Sequence, residues 1–318
     1  MSYFVLVKEK TYMYNSVSRY YSHKSKDFIF ASSYQDNLIE GDGHIYVPSG
    51  AVAQISKNVP HIEIAFDIKD KPLFEKIQER LKGGYIVIRK NKRSGRSTIK
   101  KKLVLLKLIT LINNHMRTPK IESLHRLIDW FNLSKGTKLV KCDIDKSDIL
   151  NNSWFSGFLE TDGNFYLNFK INKDLSHNGF KIKDIVYYMR LSQRQNYTRK
   201  VNSIVHLSYL EIMNKIAKAL NTSVINIYRD RIKYEEHSYL IRTDKIKSKN
   251  KIFSYLNKFP LFGYKYFAHK NLESIHILVK NKEYKLKYGK LKFIKLYERI
   301  KDDPNRDYWN HLDKFYNI

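Results

Sequence analysis

One internal repeat constrains the fold of this chain more than any other feature. Residues 38–47 (LIEGDGHIYV) match residues 158–167 (FLETDGNFYL). Each copy is a short apolar stretch of helical character that ends in an acid, a small residue, Asp and Gly, and a strand-like run follows at once. The glycine is where the helix would end, because a left-handed cap costs glycine nothing. The sequence therefore predicts two similar units in tandem.

The elements that follow each motif are predicted in a matching order. In the first unit we expect, by their periodicity, a strand over His61–Phe66, a helix over Pro72–Leu81, a strand over Tyr85–Arg89 and a long helix from about Lys102. In the second unit we expect strands over residues 187–191, 224–228 and 239–242, with helices over 209–220 and 251–257. Each unit then ends in a further helix, and residues 121–125 (IESLH) resemble residues 272–276 (LESIH). This order predicts two α+β units related by a pseudo-twofold axis.

The same comparison sets the predicted domain boundaries. We assign residues 1–30 to an N-terminal extension and residues 31–134 to the first unit. Residues 135–152 are polar and charged and are interpreted as a linker. Residues 153–318 form the second unit together with C-terminal helices.

The charge of the chain indicates a polyanionic partner. Lysine and arginine number 59 against 31 acidic residues, a formal net charge of +28. An excess of this size, spread over the chain, is typical of proteins that bind nucleic acid and release its counterions. An RNA-coating protein would show the same excess. The single cysteine, Cys142, excludes an intrachain disulfide and a cysteine-rich zinc site. The sequence contains no run of eighteen apolar residues, so no membrane-spanning helix is predicted.

The two aspartates that end the motifs are the candidate chemical groups. If the motif helices pack side by side about the pseudo-twofold axis, Asp42 and Asp162 converge. Two close carboxylates repel each other, and divalent cations relieve that repulsion. Oxygen ligands favour Mg²⁺. Two or more such ions over a phosphodiester can activate water and stabilise the developing charge. The pattern predicts a hydrolase centre with one acid from each unit.

The two motifs are similar to the LAGLIDADG signature. The sequence around them resembles the mitochondrial intron-encoded branch of homing endonucleases and intron maturases. The stretches that carry the resemblance are LINNHMRTPK at 111–120, IESLHRLIDWFN at 121–132, WFSGFLETDGNF at 154–165, LSQRQNY at 191–197, PLFGYKY at 260–266 and WNHLDKFY at 309–316. The resemblance implies two αββαββα units, motif helices at their interface and two four-stranded antiparallel sheets that form a DNA-binding saddle.

The resemblance also implies roles for particular residues. It assigns Mg²⁺ binding to the carboxylates of Asp42 and Asp162 and to the backbone carbonyls of Gly41 and Thr161. A basic residue near the scissile phosphates is expected at the start of the helix after each sheet, and the candidates are Lys100, Lys101 or Lys102 and Lys247 or Lys249. A polar residue that organises water is expected on a central strand, with Gln193 and Asp67 as candidates.

Strand periodicity predicts the residues that contact DNA. Alternation after the second motif turns Phe165, Leu167 and Phe169 towards the core. The side chains that would then face the groove are Asn164, Tyr166, Asn168 and Lys170. Cations also cluster at predicted strand ends in both units, and they are Arg89, Lys90, Lys92, Arg93, Arg96, Arg194, Arg199, Lys200, Arg229, Arg231 and Lys233. We expect these side chains to contact bases and phosphates.

Three functions agree with these patterns. The first is a Mg²⁺-dependent homing endonuclease that cuts double-stranded DNA as a monomer, since both motifs lie on one chain. The second is a maturase that binds its group I intron RNA and assists splicing. The third is a DNA-binding protein without cleavage activity, and the two intact aspartates argue against it. The abundance of Lys, Asn, Ile, Tyr and Phe is typical of an AT-rich genome, and we expect a mitochondrial protein.

Overall fold

The computed structural model of the 318-residue chain describes residues 38–48, 59–90, 92–174, 179–197, 207–232, 234–301 and 309–316. The predicted N-terminal extension lies outside the described residues. The same holds for three of the predicted DNA contacts, which are Arg199, Lys200 and Lys233.

The first unit is an antiparallel sheet covered by helices on one face. Its motif helix, α1, is described over residues 38–41. The elements that follow are β1 (Gly43–Tyr46), β2 (His61–Asp67), α2 (Lys71–Leu81), β3 (Tyr85–Ile88), β4 (Ser94–Ile99), α3 (Lys102–Ile112) and α4 (Ile121–Lys135). A 3₁₀ turn, Ile68–Asp70, precedes α2. The strand order is β1-β2-β4-β3.

The second unit repeats this arrangement and extends it. Its elements are α5 (Trp154–Asp162), β5 (Gly163–Asp174), β6 (Gly179–Arg194), α6 (Leu210–Ala219), β7 (Val224–Arg231), β8 (Tyr234–Arg242), α7 (Ile246–Lys258), α8 (Lys265–Lys280) and α9 (Lys287–Lys301). Two short 3₁₀ helices, Glu283–Lys285 and Asn310–Tyr316, flank α9. The strand order, β5-β6-β8-β7, matches that of the first unit. The predicted α+β fold with two four-stranded antiparallel sheets is confirmed.

The predicted elements differ from the observed ones at two places. Strand β4 was not predicted, because its sequence, SGRSTI, lacks the apolar alternation of a strand. The pairing of the closing helices is also wrong in register. Helix α4 begins at Ile121, whereas α8 begins at Lys265, seven residues before Leu272. The similarity of IESLH and LESIH is therefore not a structural equivalence.

The two motif helices cross at very short distance. A methyl group on Gly41 would overlap the side chain of Thr161, so the crossing requires glycine on the first helix. The motif glycines Gly43 and Gly163 are not left-handed caps as predicted, since Gly163 is extended at φ −76°. Any side chain on them would collide with the backbone of Ile39 and Leu159 respectively. Close backbone approach, and not a left-handed φ, explains both glycines.

The two units also share core residues. Phe262, which precedes α8 of the second unit, packs into the apolar core of the first. The segment predicted as a linker contains no helix or strand from residue 136 to residue 153. Arg117 holds it against the first unit through Asp145 at 2.7 Å and the Ser147 carbonyl at 2.9 Å. None of the described helices has both the length and the apolar composition to cross a membrane.

Candidate active site between the two units

Asp42 and Asp162 converge where the motif helices cross. Asp42 follows α1 and stays in contact with solvent, and Asp162 ends α5 half-buried. Burial among protein atoms raises the pKa of both carboxyls, that of Asp162 to about 6. The residues directly before them, Gly41 and Thr161, are in close contact where the helices cross, and the negative charge of Asp42 raises the pKa of Asp162 further. The structure thus brings one acid from each unit to a common point.

Two buried lysines stand beside these carboxylates. Lys120, the residue before α4, donates from Nζ to the carbonyls of Gly41 at 2.6 Å and Gly43 at 2.8 Å. Lys265, the first residue of α8, donates to the Thr161 carbonyl at 2.7 Å. Burial lowers the pKa of both ammonium groups, that of Lys120 to about 8. Their positive charges in turn lower the pKa of both aspartates.

The glutamate of each motif positions the lysine of the same unit. Glu40 accepts from the backbone amides of Arg117 at 2.9 Å and Thr118 at 2.7 Å. Glu160 accepts from the amides of Phe262 at 3.1 Å and Gly263 at 3.0 Å. In each unit the lysine lies three residues after the first clamped amide. The acid of the motif therefore fixes the segment that carries the cation to the aspartate.

Among the described residues, a side chain of the sheet hydrogen-bonds the motif aspartate on the Asp162 side. Gln193 Nε2 donates to Asp162 Oδ2 at 2.8 Å. The Thr161 hydroxyl lies 3.2 Å from the same oxygen and 2.9 Å from the Phe158 carbonyl, and its one proton is shared between these two acceptors. The strand register pairs Gly163 with Leu191 and Gly43 with Ile64, so the equivalent of Gln193 is two residues past Ile64. That residue is Phe66, whose ring stacks on Phe74 at 4.1 Å.

A cavity of about 170 Å³ opens beside Asp42 instead. Its polar lining includes Asp67, Asp70, Glu160 and Lys265. Asp70 accepts from the Tyr264 amide at 2.6 Å. Burial and the charge of Glu160 raise the pKa of Asp70 to about 7. Asp67, the second predicted water-organising residue, uses one carboxylate oxygen to cap the Lys69 amide at 3.0 Å.

The lysines predicted near the scissile phosphates are exposed or contact aromatic rings. Lys100 lies over the Tyr85 ring at 6.0 Å, and Lys102 is exposed beside Lys135. Lys247 is exposed on α7, and Lys249 lies over the Tyr187 ring at 3.8 Å. The structure brings Lys120 and Lys265 to the carboxylates instead. The prediction placed the cation before the first helix after each sheet, whereas the structure places it before the second.

A signal for these two lysines was present in the sequence. RTPK and FGYK occupy residues 117–120 and 262–265, and each ends in lysine directly at the start of a closing helix. The misplaced pairing of IESLH with LESIH concealed this match, because it shifted the second unit by six residues.

The predicted DNA contacts lie mostly on the sheet face that points away from the helices. Asn164, Tyr166 and Asn168 alternate with the buried Phe165 and Leu167 along β5. Arg89, Lys90, Lys92 and Arg93 surround the exposed β3–β4 turn. Other predicted arginines already have acidic partners. These ion pairs are Arg96–Glu63 at 3.1 Å, Arg229–Glu236 at 3.5 Å and Arg231–Glu236 at 2.9 Å.

The donor set suits a hard divalent cation that is shared with a substrate. Two carboxylates and the carbonyls of Gly41 and Thr161 provide oxygen ligands, and each carbonyl keeps a second lone pair beside its lysine. The described residues contain no cluster of three or more His, Cys, Asp or Glu side chains that could hold a metal alone. Further ligands would have to come from water or substrate.

Comparison with known proteins agrees with this architecture. The model of the LAGLIDADG endonuclease family matches residues 38–131 and 155–276. The intron-encoded DNA endonuclease aI3 of Saccharomyces cerevisiae is 28% identical over 275 residues, which are 80% of this chain and 65% of that protein. The chain thus spans a little under two thirds of the length of this relative.

Two solved structures have the same fold. The meganuclease I-SmaMI bound to uncleaveable DNA superposes with a TM-score of 0.61 at 15% identity, over 86% of this chain and 99% of that one. The homing endonuclease I-GzeII in complex with its DNA target gives 0.60 at 15% identity, over 88% and 100%. The family match covers both repeats and both candidate aspartates, which confirms the resemblance seen in the sequence. The chain belongs to the LAGLIDADG endonuclease family.

Proposed function

We propose that this chain is a site-specific DNA endonuclease that hydrolyses phosphodiesters in both strands with divalent metal ions, Mg²⁺ first among them, and so promotes intron mobility. The observation that carries the proposal is the convergence of Asp42 and Asp162, one from each unit, with a buried lysine beside each. A duplex has two scissile phosphates related by a local twofold axis. A centre built from two equivalent halves matches that symmetry.

The chain's own residues would bind and orient the substrate. Asp42, Asp162 and the carbonyls of Gly41 and Thr161 would hold the cations, which supply a more acidic water and neutralise charge on the phosphate. Lys120 and Lys265 would offset the negative charge that develops on phosphorus-bound oxygens. Gln193, held by Asp162, would orient a water molecule on its side of the site.

The two sheets would supply the surface for double-stranded DNA. Their helix-free faces carry the predicted contacts, and the net charge of +28 favours a long polyanionic site. The relatives I-SmaMI and I-GzeII were solved with DNA, and aI3 is described as a DNA endonuclease. We extend duplex binding to this chain on that basis. Because both motifs lie on one chain, a monomer suffices.

The mitochondrial location remains a proposal that rests on the AT-rich character of the sequence. The alternative function is binding of group I intron RNA to assist splicing. A cleavage assay distinguishes it from the endonuclease function.

The test is a Mg²⁺-dependent cleavage assay with the purified chain on duplex DNA that spans the intronless junction of its host gene. The Asp42→Asn protein and an EDTA-containing reaction serve as controls. Double-strand cuts by the wild type with Mg²⁺ alone would support the proposal. Tight binding of the intron RNA without any DNA cleavage would replace it with the maturase function.

A further inference from the structure

The strand register allows the outward faces of the two sheets to be compared residue by residue. In the first sheet Glu63 lies opposite His44 on one side and Thr98 on the other. In the second sheet the same row contains Arg190, opposite Asn164 and Arg242. Since Ile64 is equivalent to Leu191, the residue three positions further is Asp67 in the first sheet and Arg194 in the second.

Three equivalent positions therefore differ strongly in charge. We call the residues of the second sheet the arginine triad, and they are Arg190, Arg194 and Arg242. We call those of the first sheet the counterpart trio, and they are Glu63, Thr98 and Asp67. The arginine triad carries three positive charges and the counterpart trio two negative ones, although the backbone positions are the same.

The arginine triad places like charges close together, an arrangement that a bound anion would stabilise. Arg190 and Arg242 face each other directly across β6 and β8, and like charges in such a pair repel. Arg242 stacks over the Tyr188 ring at 5.3 Å and lies 3.4 Å from Asp244, which offsets only part of this charge. Arg190 and Arg194 are exposed. A bound polyanion would relieve the repulsion.

On the first sheet, the charge of the outward-facing arginine is neutralised by an acid of the same face. Arg96 forms an ion pair with Glu63 at 3.1 Å. Asp67 is exposed on the same face and adds a second carboxyl group there. The neighbours of Arg96 across the sheet, Ala65 and Val87, are apolar. These central positions of the first sheet offer little attraction to phosphates, and exposed cations of the first unit lie at the β3–β4 turn instead.

We propose that the protein binds its DNA with a fixed polarity: the arginine triad anchors one half-site through guanine edges and phosphates, and the counterpart trio gives the other half-site no such anchor at the same three positions. Arginine recognises guanine because its planar fork matches the O6 and N7 acceptors in the major groove. This inference rests on the proposed DNA function. It assigns part of the sequence specificity of the DNA-binding sheet surface to the arginine triad.

Salt dependence of binding tests the electrostatic part without any cleavage. The probe is a 40-base-pair duplex of mixed sequence in EDTA, titrated at several salt concentrations. Each lost phosphate contact lowers the slope of log K against log salt by about 0.9. We expect a loss of about 0.9 in Arg190→Gln and about two to three in the variant with all three triad arginines changed to Gln. The matched control, Arg96→Gln, should lose less than about 0.3, because Glu63 already neutralises that arginine. Equal losses for Arg190→Gln and Arg96→Gln would overturn the inference.

Selection of binding sites from a randomised duplex library tests the guanine part. We expect the wild type to select guanines in one half-site only. Arg190→Lys should keep the salt slope but lose guanine preference at one position, since lysine keeps the charge and lacks the fork. Guanines selected equally in both half-sites would overturn the polarity and leave the nuclease proposal intact. Failure of the wild type to bind any duplex would overturn both proposals. Arg190 and Arg194 are exposed, whereas Arg96 and Arg242 are half-buried, so the folding of each variant is checked by thermal melting.

Discussion

The two halves of the active site, one around Asp42 and one around Asp162, share their charged groups but differ in their polar ones. Each half has an aspartate, a glutamate that accepts from two backbone amides, and a buried lysine. On the Asp162 half, Gln193 donates to the carboxylate and the Thr161 hydroxyl lies beside it, whereas Phe66 and Gly41 occupy the equivalent positions on the Asp42 half. The charged groups are therefore present in both halves, and the residue proposed to orient water is present in one.

Some of this divergence has a steric cause. The motif helices can cross closely only if one side of the contact is glycine, and Gly41 takes that role against Thr161. The hydroxyl of Thr161 could then be kept for Asp162, while the Asp42 side had to go without one. The Asp42 side instead opens into the cavity lined by Asp67 and Asp70.

Removal of a single motif carboxylate should have the largest effect. We expect Asp162→Asn to lower cleavage by at least about a thousandfold, because in the proposed mechanism several kcal/mol of charge stabilisation come from the cations that Asp162 would hold. Affinity for duplex DNA in EDTA, measured by filter binding, should stay within about twofold of the wild type. An Asp162→Asn protein that still cuts would mean that the proposed centre is wrong.

Substitution of the lysines should come next. We expect Lys265→Met and Lys120→Met to slow single-turnover cleavage by about a hundredfold each. Lys120→Met should also lower the melting temperature more, because Lys120 donates to three carbonyls, including that of Ile39 at 3.1 Å, and Lys265 to two. Lys102→Met, at the exposed start of α3, is the control and should retain wild-type cleavage. Loss of cleavage in Lys102→Met alone would restore the position predicted from the sequence.

Replacement of Gln193 should separate the two strands. In Gln193→Leu we expect one strand to be cut about tenfold more slowly, because misplacement of a reacting water is costly, so that a nicked duplex accumulates. The control is Gln195→Leu, two residues further along, because the hydrogen bonds of Gln195 with the described residues use its backbone amide and carbonyl. Equal slowing of both strands on a doubly labelled duplex would remove the functional distinction between the two halves of the active site.

The smallest expected effect concerns stability without metal. The pKa of Asp162 is raised from 3.8 to about 6, so its ionisation disfavours the folded state as the pH rises through that range. Asp162→Asn should therefore stabilise the metal-free protein by about 3 kcal/mol at pH 8 and by only about 1 kcal/mol at pH 4.5. Thermal melts in EDTA at both pH values measure this, with the exposed Asp143→Asn as control. A gain that does not grow with pH would contradict the burial of Asp162.

The sequence predicted the parts of the fold that repeat. Both motifs, the positions of Asp42 and Asp162 and the tandem arrangement follow from residues 38–47 and 158–167 alone. The sequence signal for Lys120 and Lys265 was concealed by the shifted pairing of the closing helices, and their proximity to the aspartates depends on hydrogen bonds of Glu40 and Glu160 over long separations in the chain.

Strand register is the second feature of the site that the sequence alone did not reveal. Gln193 and Asp67 look like comparable polar residues on central strands. Only the hydrogen-bonded pairing shows that Phe66, not Asp67, is the counterpart of Gln193. A shift of one residue moves a side chain to the opposite face of a sheet, so this distinction could not be made without the pairing.

The most direct test of the account is strand-resolved cleavage by the Asp42→Asn protein in Mg²⁺, with a different label on each strand of the duplex. The account predicts that neither strand is cut at more than about a thousandth of the wild-type rate, because both aspartates serve one shared centre. Cleavage of one strand at the wild-type rate would show that the two aspartates act independently and would contradict the convergent centre.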